Sequence, residues 1–150
     1  MIQKYRILIV DDDVTIRSTM EAILEDEGYS VESAANGKEA IKKTNEQIFN
    51  LALLDIRLPD MEGVELLKLM KDSVPRMRKI MVTGFPSLQN AVEAVNRNAD
   101  AYLIKPVDID QLLTTVREQL EKQEEDKKFN EEKVAEFIES RVKEVSTNGP

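Results

Sequence analysis

Residues 50–63 read NLALLDIRLPDMEG. Leu51, Ala52, Leu53 and Leu54 form a short run with no polar position, the pattern of a strand covered on both faces. The run stops at Asp55. Leu58-Pro59-Asp60 and Glu62-Gly63 then have the composition of a turn. A carboxylate therefore stands where a buried strand emerges, on the edge of an open α/β sheet where ligands and chemistry collect. Asp55 could equally cap the next helix or start a turn. The rest of the chain decides between these readings.

The chain has 150 residues, enough for one full core and a small appendage. With 41% apolar and 33% charged residues, it has the balance of a soluble globular protein. Its net charge is −8, and residues 1–120 and 121–150 are each net acidic. Both parts repel a phosphate backbone, which argues against direct nucleic-acid binding. The absence of Cys and His rules out disulfides, thiol chemistry, an imidazole base and His or Cys metal ligands. Acid–base or metal chemistry must come from carboxylates, hydroxyls and lysines. The opening MIQKYRILIVDDD carries one short apolar run that three aspartates end, so it reads as neither a signal peptide nor a membrane span. No other stretch is long enough to cross a bilayer, and a cytoplasmic location is expected.

Outward from the central stretch, short apolar runs alternate with amphipathic segments. Arg6 to Val10 reads as a strand ending in Asp11-Asp12-Asp13. Val14, Ile16, Met20, Ile23 and Leu24 recur at helical spacing up to Gly28, a C′ glycine. Tyr29 to Ala35 alternates as a second strand, and Asn36-Gly37 leads into a helix with Ala40 and Ile41. After the central strand, Val64, Leu66, Leu67, Leu69 and Met70 mark a helix that ends before Val74-Pro75. Lys79 to Val82 is a fourth strand, ending at Thr83-Gly84. Ser87 can cap a helix with Leu88, Ala91, Val92 and Val95 on its apolar face. Ala101 to Ile104 is a fifth strand, followed by Lys105-Pro106 and a helix from Asp108 through Leu120. This alternation predicts an α/β fold: a parallel sheet with right-handed crossovers and helices on both faces.

The strand ends then collect a constellation. The first gives Asp11, Asp12 and Asp13, the third Asp55, the fourth Thr83 and the fifth Lys105. Carboxylates gathered on one edge repel each other unless protons or a cation neutralise them. An oxygen-only donor set favours a hard ion, Mg²⁺ or Mn²⁺, over Zn²⁺. A lysine and a hydroxyl beside it can each contact a phosphoryl oxygen. Phosphoryl transfer onto or off a carboxylate is the chemistry that follows.

The pieces ILIVDDD, LALLDIRLPDMEG, IMVTG and AYLIKP, in that order and spacing, resemble the receiver domains of two-component response regulators over residues 5–120. The resemblance implies a doubly wound, flavodoxin-like five-stranded sheet of order 2-1-3-4-5. It implies that Asp55 is the phosphoacceptor, fed by a sensor histidine kinase or phosphotransfer protein. Asp11 and Asp12 would be the acidic pair that holds Mg²⁺, joined by Asp55 and the backbone carbonyl of Arg57. Thr83 would be the switch hydroxyl, Lys105 the phosphate-contacting lysine and Tyr102 the switch aromatic. Phosphorylation would reshape the surface of helix four, strand five and helix five. Asp13 has no role in this pattern and reads as a solvated carboxylate at a helix start. Asn98 stands where the family has Gly, and Gly84-Phe85-Pro86 is a departure that would stiffen the mobile loop. Phe85 there would shield the acyl phosphate.

Two other readings use the same residues. Asp11-Asp12-Asp13-Val14-Thr15 also fits the D-x-D-x-T box of haloacid dehalogenase-like phosphatases, with Asp11 as nucleophile and Asp13 as acid–base. That reading leaves Asp55 and its loop unexplained, and a short motif without context is weak. A pseudo-receiver adaptor that only binds partners would not need the complete site.

Residues 1–120 are thus expected to form the receiver and 121–150 an acidic helical tail or linker. The apolar rhythm stops over EKQEEDKK, 121–128, and resumes with Phe129, Val134, Phe137, Ile138, Val142 and Val145. This reads as a separate amphipathic helix with Asn130 as its N-cap. The polar stretch, with no apolar face to dock, predicts projection away from the sheet and a weak tail-mediated homodimer. Residues 121–150 are too short and too acidic for a DNA-binding module. The NGP ending suits either a piece of a longer protein or a stand-alone receiver.

Overall fold

The computed structural model describes residues 4–70, 73, 75–84, 87–96 and 99–147. The strands are β1 (Arg6–Val10), β2 (Ser30–Ala34), β3 (Leu51–Asp55), β4 (Arg78–Thr83) and β5 (Ala101–Ile104). The helices are α1 (Val14–Asp26), α2 (Gly37–Glu46), α3 (Gly63–Leu69), α4 (Leu88–Asn96) and α5 (Ile109–Thr147). All four strand pairings are parallel, in the order β2-β1-β3-β4-β5. The expected doubly wound sheet and its strand order are both present.

Every residue of β3 is buried, and its four apolar side chains each enter one of two cores. Ala52 and Leu54 join Leu8, Val10 and Met81 on the side of α2, α3 and α4. Leu51 and Leu53 join Ile7, Ile9, Ile80, Val82 and Leu103 on the side of α1 and α5. Period-two alternation thus divides a continuously apolar run between two layers.

Local chemistry sets the helix ends. Asp13 caps α1, its carboxylate accepting from the amides of Thr15 and Ile16 at 2.9 and 3.1 Å. Gly28 ends α1 with φ +97°, a conformation that disfavours any side chain. Asn36 caps α2 by accepting from the Glu39 amide at 2.8 Å. Asp108 caps α5 through the Gln111 amide at 3.1 Å.

Three expectations need correction or fall outside the described residues. First, Val92 is half exposed, whereas Ala94 is the fully buried residue of α4. The side chains of Leu88 and Val95 are not described, and neither are residues Val74, Phe85, Pro86 and Asn98. Second, Met70 lies one residue beyond α3 as its C-cap, buried all the same. Third, no break separates helix five from the tail: α5 runs unbroken for 39 residues, so Asn130 caps nothing.

The polar stretch also docks instead of projecting. Gln123 is buried, and its side-chain amide donates to the carbonyls of Asn50 at 2.9 Å and Arg76 at 2.8 Å. Arg78 pairs with Asp126, and the Tyr5 hydroxyl donates to Glu124 at 3.3 Å. These groups line the edge of the sheet opposite the C-terminal strand ends. A face without apolar residues can therefore bury itself, because it satisfies backbone carbonyls that the sheet leaves open. From Phe129 to Val145 every side chain is exposed.

Candidate functional site

Asp11 follows β1 directly and is almost fully buried. Its amide donates to the Ala34 carbonyl at 3.1 Å. Its carboxylate accepts from the Asp13 amide at 2.9 Å, and its carbonyl accepts from the Arg17 guanidinium at 2.7 Å. Asp55 ends β3 and is 8% exposed. The register pairs Val10 with Leu54 and Leu54 with Met81, so the ends of β1, β3 and β4 lie level along one edge.

Lys105 joins the two carboxylates. Its ammonium lies 2.7 Å from Asp11 Oδ2 and 3.2 Å from Asp55 Oδ2. The lysine is placed by its own backbone, since its amide donates to the Thr83 carbonyl at 2.8 Å across the ends of β5 and β4. Burial would lower the Lys105 pKa. The hydrogen bond and charge of Asp11, with the charge of Asp55, outweigh it and raise the pKa above the ordinary lysine value. For Asp55, burial dominates and raises the carboxyl pKa. Lys105 opposes it and Asp11 adds to it.

Carboxylate oxygens of Asp11, Asp12 and Asp55 lie within 4.8 Å of one another. Three hard donors at this separation fit a Mg²⁺ or Mn²⁺ ion, which takes carboxylates, carbonyls and water as ligands. Asp12 is exposed and Asp11 and Asp55 are buried, so an ion there would have protein on one side and solvent on the other.

The other predicted residues divide by sheet face. Thr83 is fully buried at the end of β4. Met81 faces Tyr102 in the register, and the Tyr102 ring packs on the core beneath α3 and α4. By alternation Thr83 shares that face, two residues further along. The Tyr102 hydroxyl is already buried and has no hydrogen-bond partner among the described residues. Arg57 is the second residue of the loop after Asp55, and its amide donates to Asp55 Oδ1 at 3.3 Å.

Asp13 does not join this group. Its carboxylate is committed to the N-terminus of α1, which leaves the phosphatase reading without its acid–base. Two participants were not legible as such in the sequence. Arg17 reaches back from α1 to the Asp11 carbonyl. Gly63 is required sterically, since a Cβ there would lie 2.1 Å from the Asp55 carbonyl oxygen. The turn composition of LPDMEG was the only trace of the second.

Comparison with known proteins agrees with this geometry. The family model of the response regulator receiver domain matches residues 7–117. The transcriptional regulatory protein ZraR of Klebsiella oxytoca is 42% identical over 114 residues, 76% of this chain and 26% of that protein. A CheY-like response regulator receiver domain protein from Methanospirillum hungatei superimposes with a TM-score of 0.79 at 50% identity, covering 83% of this chain and 99% of the other. NtrX from Brucella abortus matches with a TM-score of 0.79 at 30% identity, covering 85% of this chain and 30% of that one. The chain belongs to the response regulator receiver domain family and is a phosphoacceptor module of two-component signalling. It spans about a quarter of the length of the curated relatives it matches. Among the described residues no helix is long and apolar enough to cross a membrane.

Proposed function

We propose that Asp55 is the phosphoacceptor of this receiver and that Asp11, Asp12, Asp55 and the Arg57 carbonyl hold Mg²⁺, or Mn²⁺ in its place. The supporting observation is the convergence of three carboxylates and one ammonium, from three strand ends, on one small volume. A carboxylate oxygen of Asp55 attacks the phosphorus of a phosphohistidine on a sensor kinase or phosphotransfer protein. A P–O bond forms, the P–N bond breaks, and the departing imidazole takes a proton. The bound divalent ion supplies positive charge where the phosphoryl oxygens gather. Lys105, already between Asp11 and Asp55, turns to a phosphoryl oxygen, and Thr83 donates its hydroxyl to another.

Thr83 and Tyr102 carry the signal to the face of α4, β5 and α5. The Tyr102 ring packs on the same core as Met81, the residue two before Thr83, so a hydroxyl shift at Thr83 is felt at Tyr102. The receiver works in the cytoplasm, where its phosphodonor is, and its net-acidic residues 1–150 are not themselves a nucleic-acid surface.

The tail is a pairing element for a second copy. Eighteen residues make five helical turns, so Val116, Gln119 and Leu120, covered by the sheet, recur as Val134, Phe137 and Ile138. The second set is more than half exposed. The face that α5 buries on its own receiver continues uncovered beyond it, and the same face of a partner helix fits it.

The deciding experiment is reaction of the full chain with acetyl phosphate and Mg²⁺, with the adduct located by mass spectrometry. The expected modification is on Asp55, and it is lost in Asp55→Asn. Full labelling of that variant at another residue would overturn the assignment.

A further inference from the structure

The loop from Ile56 to Gly63 is closed at its base by its own backbone. Arg57 and Glu62 form a bridge, the Leu58 amide donates to the Met61 carbonyl at 3.1 Å, and the Gly63 amide donates to the Ile56 carbonyl. Its tip is held from a different element. The Asp60 carboxylate accepts from the amides of Gly37 and Lys38, both at 2.9 Å, at the first two positions of α2. The local cap of α2 cannot serve these amides. The Asn36 side chain is engaged with the Glu39 amide, and the Glu39 carboxylate returns to the Ala35 amide at 3.1 Å. Two orphan donors and the positive end of the helix remain, which suits a two-oxygen anion. Met61 closes the same contact: a Cβ on Gly37 would lie 2.4 Å from its sulfur.

We infer that Asp60 is a positioning residue for the metal site, fixing the Arg57 carbonyl by tying the tip of its loop to the N-terminus of α2. This rests on the reading above in which the Arg57 carbonyl is a metal ligand. Asp60 itself is exposed, and its carboxylate is not one of the three that converge at the site. Its two hydrogen bonds also hold its carboxyl below the usual range, so the tie persists through the working pH of any cytoplasmic protein. Without Asp60, the loop tip loses both hydrogen bonds to α2, and the carbonyl three residues before the tip loses its reference point.

The test separates positioning from helix capping. Asp60→Ala should weaken Mg²⁺ binding of the full chain, followed by calorimetry, by roughly tenfold, the scale of a lost outer-shell partner. Asp60→Asn, which keeps one acceptor oxygen, should recover part of that loss. Asn36→Ala removes the other cap of α2 without touching the loop, so it should lower thermal stability yet bind Mg²⁺ like the parent. Hydrogen exchange in EDTA gives a readout free of metal. The Leu58 and Gly63 amides should exchange faster in Asp60→Ala and be unchanged in Asn36→Ala. Parent-like Mg²⁺ affinity in Asp60→Ala, or an equal loss in Asn36→Ala, would overturn the inference. If the parent binds no Mg²⁺ at all, the metal reading fails instead, and the exchange data still decide whether Asp60 holds the loop.

Discussion

The Lys105 ammonium lies 3.2 Å from the Asp55 carboxylate, although fifty residues separate them in the chain and β4 lies between their strands. The same ammonium is closer still to Asp11, at 2.7 Å. One cation thus shares two buried carboxylates, in the same charge environment that a divalent ion would take.

Removing that cation should have opposite effects on the fold and on metal affinity. Lys105→Met leaves Asp11 and Asp55 uncompensated, and in EDTA it should destabilise the protein by about 1–3 kcal/mol, less than a fully buried pair because Lys105 is part-exposed. Mg²⁺ should bind several-fold more tightly, because the repelling ammonium is gone. Phosphorylation at saturating Mg²⁺ should slow by about 10²–10³, the effect of losing one donor to developing charge. Urea titration, calorimetry and single-turnover labelling measure the three in turn.

Asp55→Asn should raise the thermal midpoint at neutral pH in EDTA by a few degrees. Burial raises the folded-state pKa of Asp55 above its unfolded value. The folded state therefore holds its proton to higher pH than the unfolded state, and this group's contribution falls as pH rises from the ordinary carboxyl pKa through the folded one. The advantage of the asparagine variant should accordingly vanish as pH drops below about 3.8, the ordinary value. Melting curves of both proteins across acidic to neutral pH would show it. An advantage that grows on acidification would refute it.

Gly63→Ala should destabilise by about 1–3 kcal/mol and impair phosphorylation together, because the added methyl meets backbone at Asp55 and Ile56 that cannot swing aside. Gly28→Ala has open space around it and only a strained φ of +97°. It should destabilise by about 1–2 kcal/mol and leave phosphorylation unchanged. Chemical denaturation paired with labelling rates distinguishes the two.

Truncation after Leu120 should destabilise the receiver, whereas truncation after Lys128 should not. The first removes Gln123 and Asp126, leaving the Asn50 and Arg76 carbonyls and the Arg78 guanidinium short of partners. Each unsatisfied group costs about 1–3 kcal/mol. Among the described residues the second removes only exposed ones. Light scattering on the same series tests the tail: a concentration-dependent dimer of the full chain should disappear in both truncations.

The number of strands and their alternation with helices were legible in the sequence because burial on two faces forces uninterrupted apolar runs, such as RILIV and LALLD, and because covering helices repeat every 3.6 residues; the order 2-1-3-4-5 came from the family resemblance. Asp11, Asp55, Thr83 and Lys105 could be collected for the same reason: each ends such a run, and a parallel sheet puts those ends on one edge. The course of α5 was not legible. EKQEEDKK looks like a linker because periodicity reports apolar contact alone, while Gln123 docks by donating to two backbone carbonyls.

By itself, then, the sequence determined the layering of the fold and the set of chemical groups at the strand ends, since both follow from hydrophobic pattern and chain direction. Only the tertiary structure decided how those groups pair. It placed Lys105 between Asp11 and Asp55, turned Asp13 away to cap α1, buried the Tyr102 hydroxyl and hooked Asp60 onto α2. The physical reason is that a hydrogen bond or ion pair depends on distance and direction between atoms far apart in the chain. Its two partners need share no spacing, period or neighbour that a linear sequence records.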